Sequence, residues 1–411
     1  MGESRHSSAT TLCEDSSVGP PGQGVGGSSL AGRKAAKVAA GHYHTVAVAS
    51  DGTAHVWGEG AFGSPPAGYV GQAPTEVTGK GSLRDRTVVE AAAGRGYTVA
   101  LAADGTVHTW GRGEDGQLGT GKAEAEQLPV EVSGNGSLAG RTVVKVAAGY
   151  RHAAALASDG SVHIWGAAML RGVGSRRRGR AYVPVEVTRR GSLAGKTIVD
   201  VAAGDCHTVV LASDGSVHAW GAWARGAVGA GGARNVRRPV EVSGAGSLAG
   251  REVTSVAAGS YHTVALASDG SVHVWGWGSL GALGTGGTSM EPSPVEITAS
   301  GSLEGTKVVG MAAGGSHTVA FDADGGVHVW GEGKAGRLGT GRLDDEHVPV
   351  EITVNGTLRG KVAVGAAAGQ HHTAVVASDG TVHVCGRGNG GSDSIPPWGF
   401  TLLPVVVDGS G

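Results

Sequence analysis

The constraint that dominates this chain is a period. An Asp-Gly pair has its Asp at positions 51, 104, 159, 214, 269, 324 and 379, so the spacing is 53 residues once and 55 thereafter. Two other landmarks keep step with it. An Ala-Ala-Gly ends at Gly41, Gly94, Gly149, Gly204, Gly259, Gly314 and Gly369, and a Trp-Gly follows at Trp57, Trp110, Trp165, Trp220, Trp275 and Trp330, with Cys385 in the seventh copy. Seven repeats of this length define an architecture in which each unit buries its faces against its neighbours.

The grammar of one unit, residues 246–298, shows what the unit is. After the turn-rich GSLAG comes VTSVAAG, a short strand, and then HTVALAS, apolar almost throughout, as suits a strand covered on both faces. Asp269-Gly270 between two apolar runs predicts a hairpin of type I′, with both central residues at positive φ. SVHVWG is the return strand, and a glycine-rich loop leads to PVEI, where Pro opens a fourth strand and loses least by lacking an N–H. Four strands in each of seven units predict an all-β, seven-bladed β-propeller with four-stranded blades. The 77 glycines and only 18 aromatic residues fit that design: Gly and Ala crowd near the axis, and one Trp per unit seals blade against blade. Residues 1–26, rich in Ser, Gly and Pro, are expected to be a disordered tail. The propeller then spans 27–411, in units of about 27–80, 81–135, 136–190, 191–245, 246–300, 301–355 and 356–411. If the final LLPVVV (402–407) completes the next blade rather than its own, it locks the ring beside the first unit.

The string V-x-V-A-A-G-x-x-H-T-V-A-L-A-S-D-G-S-V-H-x-W-G, followed by G-x-x-G-x-L-G-T-G and P-V-E-V, resembles the repeat of the regulator of chromosome condensation family. Residues 256–276, 281–286 and 294–297 carry it, and 107–121 carry it best; the likeness runs over about 35–407. It implies a seven-bladed propeller whose loop faces bind partners. Members of the family act in nucleotide exchange on a small GTPase, on chromatin, in UV-B sensing and as inhibitors of β-lactamases. The light-sensing members carry Gly-Trp-Arg-His-Thr; the nearest stretch here, Gly149-Tyr150-Arg151-His152-Ala153, lacks the Trp.

Two rings of histidine are the obvious chemical candidates. One comprises His44, His152, His207, His262, His317 and His372, with Tyr97 in the second unit; the other is His55, His108, His163, His218, His273, His328 and His383. Within a unit they are 11 residues apart, with no cysteine or carboxylate at ligand spacing, so they are read as structural, each held inside its own blade, and no metal or cofactor is expected. The repeated Glu76, Glu131, Glu186, Glu241, Glu296 and Glu351 read as solvated residues of the fourth strand. Four G-x-G-x-x-G matches precede no helix and are loop glycines. Nucleophile elbow, zinc helix and P-loop motifs are missing, and the chain is expected not to be an enzyme.

Function is therefore sought where the units differ, in the loops after Trp-Gly. In the third unit that loop carries Arg171, Arg176, Arg177, Arg178 and Arg180; in the fourth it carries Trp223, Arg225, Arg234, Arg237 and Arg238. Neighbouring units should place these on one face, as a basic patch with Trp223 as an aromatic anchor. The second unit instead carries Glu114, Asp115, Glu124 and Glu126, and the sixth Asp344, Asp345 and Glu346, which electrically divides that face although net charge is −2.

The expected function is a non-enzymatic protein–protein interaction scaffold using one loop face, with a partner of acidic surface. The alternatives are an exchange-factor-like regulator of a small GTPase, a DNA- or chromatin-associated protein, and an inhibitor of an extracellular hydrolase such as a β-lactamase. Nucleic acid ranks below protein because aromatics are not interleaved with the arginines. No apolar run reaches the roughly 18 residues of a membrane span, so no membrane partner is expected. A monomer is expected. With no secretory apolar run in the first 26 residues and three scattered cysteines, Cys13, Cys206 and Cys385, the expected setting is cytoplasmic, secretion by another route remaining open.

Overall fold

The computed structural model describes residues 28–58, 73–167, 179–221, 224–231, 235–387 and 400–407. Over these residues the chain forms seven antiparallel four-stranded sheets, each made of four strands consecutive in sequence. The only helical segments among the described residues are three-residue 3-10 turns. In the fifth blade the strands are Val253–Ala258, His262–Ala267, Val272–Gly276 and Glu291–Glu296, ordered from the axis outward. The second strand is buried at every residue, as its unbroken apolar run requires.

The Asp-Gly hairpin forms, but not as type I′. Gly270 has φ +87°, whereas Asp269 is not left-handed. Gly270 N–H donates to Ala267 O at 3.0 Å and Ala267 N–H to Ser271 O at 2.9 Å, a three-residue loop whose glycine takes the bulge position. Asp269 prefers this geometry because its Oδ1 then accepts the Ser271 N–H at 2.9 Å.

The tryptophans are fully buried and act between blades. Trp165, in the third blade, donates its Nε1–H to Gln117 O of the second at 2.8 Å, and Trp275 donates to Ala227 O at 3.0 Å. Cys385 takes the same place in the seventh blade, 3.5 Å from Arg337 O.

The first histidine ring also acts between blades, which corrects the expectation that each histidine is held within its own. Nε2 of His44, His152, His207, His262, His317 and His372 meets a threonine hydroxyl of the next blade, Thr98, Thr208, Thr263, Thr318, Thr373 and Thr45, at 2.9–3.0 Å. Thr263, Thr318 and Thr373 donate to Ala227 O, Ala282 O and Arg337 O, so they accept from the imidazole. For His207, His262 and His317 the tautomer is therefore Nε2–H, and the buried Nδ1 of His44, His152, His207, His317 and His372 has no hydrogen-bond partner.

The second blade breaks the pattern and shows its logic. The third blade has Ala153 where every other blade has the threonine, and the second has Tyr97 where the others have histidine. The Tyr97 hydroxyl reaches further and donates to Gly149 O at 3.0 Å, with His152 O also in contact. Replacing Tyr97 by His alone leaves a buried imidazole facing a methyl group, at an expected cost of about 1–3 kcal/mol. Adding Ala153→Thr supplies the hydroxyl and should return most of it in urea denaturation; a strictly additive double variant would contradict the pairing.

The outer histidines are braced within the blade. His273 Nδ1 meets Ser247 Oγ at 2.7 Å and its Nε2 meets Ser271 Oγ at 2.9 Å, while that serine donates to Asp269 Oδ1. In the sixth blade Gly326 replaces the serine, and Asp322, standing where other blades have Ala, accepts directly from His328 Nε2 at 2.9 Å. A Cβ on Gly326 would lie 2.6 Å from Asp322 Oδ2, so the two substitutions belong together. Asp322→Ala is expected to lower the urea midpoint, and Asp322→Ala with Gly326→Ser to restore it; equal midpoints for the single and double variants would refute the exchange.

The final strand, Phe400–Val406, pairs with Val382–Arg387 of its own blade. The ring is thus not locked by strand exchange. It closes by packing: Leu30, Ala47 and Trp57 of the first blade share a core with Ala374, Val384 and Val407. His372–Thr45 at 2.9 Å and Gln370 N–H to Gly41 O at 3.1 Å complete the seam.

Candidate functional site

Antiparallel order puts the turn between strands one and two, and the loop between three and four, on one face. The Asp-Gly hairpins and GSL turns lie on the other. On that second face six of the seven blades repeat one ion pair, Arg33–Asp51, Arg86–Asp104, Arg141–Asp159, Lys196–Asp214, Arg251–Asp269 and Lys361–Asp379, and the sixth has Thr306 in place of the cation. Surface pairs of this kind contribute little energy, and a pair that recurs from blade to blade offers little to distinguish a partner.

The first face is different in every blade. Between the repeated Ala-Ala-Gly and the inner histidine stand His42-Tyr43, Arg95-Gly96, Tyr150-Arg151, Asp205-Cys206, Ser260-Tyr261, Gly315-Ser316 and Gln370-His371. The inner strands deliver these pairs around the axis, over a cavity of about 60 Å³ lined by the Ala-Ala-Gly segments. His42 Nε2 lies 3.3 Å from Asp205 Oδ1, and Ser260 Oγ 3.1 Å from Gln370 Oε1; both contacts cross the axis. The Cys206 thiol is shifted upward in pKa, chiefly by burial, with the Asp205 charge adding to it.

Two clusters of arginine on aromatic rings lie outside this centre. The Arg95 and Arg151 guanidiniums stand 4.6 and 5.2 Å from the Tyr150 ring centroid, and His42 meets that ring edge-on at 4.8 Å. Further round, Arg225 is 4.5 Å from the Tyr261 ring and 4.4 Å from that of Trp277. Stacking of this kind orders a long side chain before any partner arrives.

The sequence-predicted basic patch is only partly on view. Arg171, Arg176, Arg177, Arg178, Trp223 and Arg234 lie outside the described residues. Arg180 is ion-paired to Asp115 of the second blade at 2.5 Å. Arg225 is exposed and stacked, with the left-handed φ of +75° that Leu280 and Ala335 repeat in the next two blades. Arg237 and Arg238 are exposed on the outermost strand of the fourth blade, Val236–Glu241, at the rim. The expected separation of acidic from basic units is blurred for a simple reason: blades two and three are neighbours, and Asp115 reaches both Arg180 and Arg151. Sequence reasoning missed Arg95, Arg112, Tyr150, Arg151, Tyr261 and Trp277. For Arg95, Tyr150, Arg151 and Tyr261 the signal was present in the two residues that change between unchanging flanks, and for Arg112 and Trp277 in the residue that follows each Trp-Gly.

Among the described residues, no group of three or more His, Cys, Asp or Glu is placed to hold a metal ion, and no helix is long and apolar enough to cross a membrane. Fold and face together define a propeller with one individualised loop face. The regulator of chromosome condensation (RCC1) repeat model matches residues 104–156, 214–266, 269–321 and 324–376, and a second model of that repeat matches 35–64, 88–117, 198–222 and 253–282. The chain belongs to the RCC1 repeat family.

Among its relatives, the ultraviolet-B receptor UVR8 of Arabidopsis thaliana is 32% identical over 299 residues, 72% of this chain and 64% of the receptor. The human E3 ubiquitin-protein ligase HERC2 is 33% identical over 291 residues, 70% of this chain but 6% of the ligase. The chain therefore spans less than two thirds of either relative. The structure of human WBSCR16 superposes with a TM-score of 0.71 at 23% identity, covering 84% of this chain and 88% of that one. That of Prp20p from Saccharomyces cerevisiae gives 0.68 at 23% identity, covering 84% and 83%. These two likenesses concern the fold.

Proposed function

We propose that this protein is a non-catalytic interaction propeller, cytoplasmic in setting, which binds a protein partner through the face bearing the strand one–two turns and strand three–four loops. The observation that carries the reading is the contrast between the faces: one repeats a neutralised ion pair, while the other carries seven different turn sequences and ordered arginine–aromatic stacks. Prp20p, which shares the fold, has a structure described together with its binding to Gsp1p and histones, and yeast RCC1 (Prp20) has one bound by Kap60. Those partners belong to those proteins; they support a protein rather than a small molecule as the ligand class here.

The test is affinity capture with the full chain, beside Arg225→Glu, Trp277→Ala and, as an opposite-face control, Arg189→Glu, whose side chain is 90% exposed. A partner held by the parent and the control but at least tenfold weaker on the two face variants is the expected result. Capture that all three variants leave unchanged would remove the reading. The same preparations assayed for nucleotide release from small GTPases, salt-dependent DNA retention and β-lactamase inhibition distinguish the scaffold from the three other family activities.

A further inference from the structure

Between the second and third blades, beside the Tyr150 stack, lies a cavity of about 160 Å³ lined by Arg95, Arg112, Glu114, Asp115, Gln117, Tyr150 and Arg151. We propose that this cavity is a carboxylate pocket that takes an Asp or Glu side chain of the partner; the proposal rests on the face assignment above and names the chemistry the face reads.

The charges set the sign of the ligand. Asp115 is satisfied from within, by Arg180 at 2.5 Å and Arg151 at 3.4 Å, and its backbone N–H donates to Gln117 Oε1 at 2.8 Å. Glu114 lies 3.6 Å from Arg112 Nε, a loose pair between two solvent-accessible side chains, and no second carboxylate pairs with Arg112 among the described residues. Arg95 has no carboxylate in that range at all among them, although stacking on Tyr150 holds its guanidinium in place. With Arg180, which is paired to Asp115, four guanidiniums thus stand against two carboxylates, an excess of positive charge around a cavity wide enough for several water molecules. A carboxylate offsets part of that excess and matches the planar fork of a guanidinium.

The pocket also explains why the arginines are built on a ring. An arginine free in water loses side-chain entropy when it grips an anion; stacked on Tyr150, it has lost much of that freedom beforehand.

The probe is a hexaglutamate peptide, titrated calorimetrically at low ionic strength into the full chain, with inorganic phosphate as the competing anion. Saturable binding of the peptide is expected, weakened at least tenfold in Arg95→Gln and in Arg112→Gln and unchanged in Arg342→Gln on the sixth blade. Arg95→Lys keeps the charge but loses the fork, and is expected to weaken binding as well while preserving the fold. Absence of saturable binding, binding indifferent to Arg95 and Arg112, or displacement of the peptide by an equal concentration of phosphate each overturns the proposal. Such a failure is separable from failure of the face assignment, because Arg225 and Trp277 are not part of this cavity and report on partner capture independently.

Discussion

Acidification from pH 7 to pH 5 is expected to unfold the propeller. Burial, the largest influence on each inner histidine, depresses His44, His152 and His262 from the ordinary 6.5 to about 4 and His207 and His372 to about 3, and takes His317 well below its usual value. Structure agrees with the direction: each imidazole Nε2 meets a threonine hydroxyl, and a proton on Nδ1 would meet no acceptor on His44, His152, His207, His317 or His372. In the unfolded chain these groups titrate near 6.5, so below that pH the unfolded state binds more protons. The stability they permit is complete above about 6.5 and falls as the pH drops toward the folded values. Each group contributes a slope of up to about 1.4 kcal/mol per pH unit. Six acting together confront a typical total stability of about 5–15 kcal/mol. Outer histidines such as His108 and His163, held at about 4 chiefly by burial, act in the same direction. The measurement is the urea midpoint by far-UV circular dichroism across pH 7.5 to 4.5. A midpoint that stays level down to pH 5 would show that the ring opens to water without unfolding.

Removing Arg337 is expected to destabilise the protein by about 3–5 kcal/mol, the loss typical of leaving one member of a buried ion pair alone. Its side chain is 2% exposed, with Nη1 2.7 Å from Glu332 Oε2 and 3.0 Å from Gln370 O, and Nε 2.9 Å from Lys334 O. Its other terminal nitrogen donates to His371 Nδ1 at 3.2 Å, which identifies that atom as the bare one. Other blades carry Gln117, Ala227 and Ala282 at this position, so the site tolerates a short side chain when no carboxylate stands beside it. Arg337→Ala strands Glu332, whereas Glu332→Ala with Arg337→Ala removes both charges and is expected to recover a substantial part of the loss. Urea unfolding of the two singles and the double measures this coupling, and a single-variant loss below about 1 kcal/mol would contradict it. The site is also affected, because Arg337 holds the Gln370-His371 turn of the seventh blade against the sixth. Its loss is expected to loosen that part of the binding face while leaving the Tyr150 stack intact.

The repeat architecture was legible at once, and the seal made by each tryptophan with it. The histidines were legible as structural but not as links between blades, since the partner of His207 is Thr263, 56 residues away, and no local pattern joins them. The paired exceptions, Tyr97 with Ala153 and Asp322 with Gly326, read in the sequence as unrelated irregularities. The side of the molecule on which the variable loops emerge followed from strand order. Of the ten residues expected to form a basic patch, Arg180, Arg225, Arg237 and Arg238 fall among the described residues, and the two-residue turns carry no charge run that would mark them in the sequence.

The sequence by itself determined the number of blades, the four strands in each and the face on which the variable segments emerge. Those depend on local alternation, turn chemistry and period, which a chain carries residue by residue. Only the tertiary structure decided that the last strand pairs within its own blade, that Asp115 cancels Arg180, and that Arg95 and Arg151 share one tyrosine ring. These are contacts between units about 55 residues apart in the chain, brought within a few ångströms when the ring closes, and their energies depend on that separation in space.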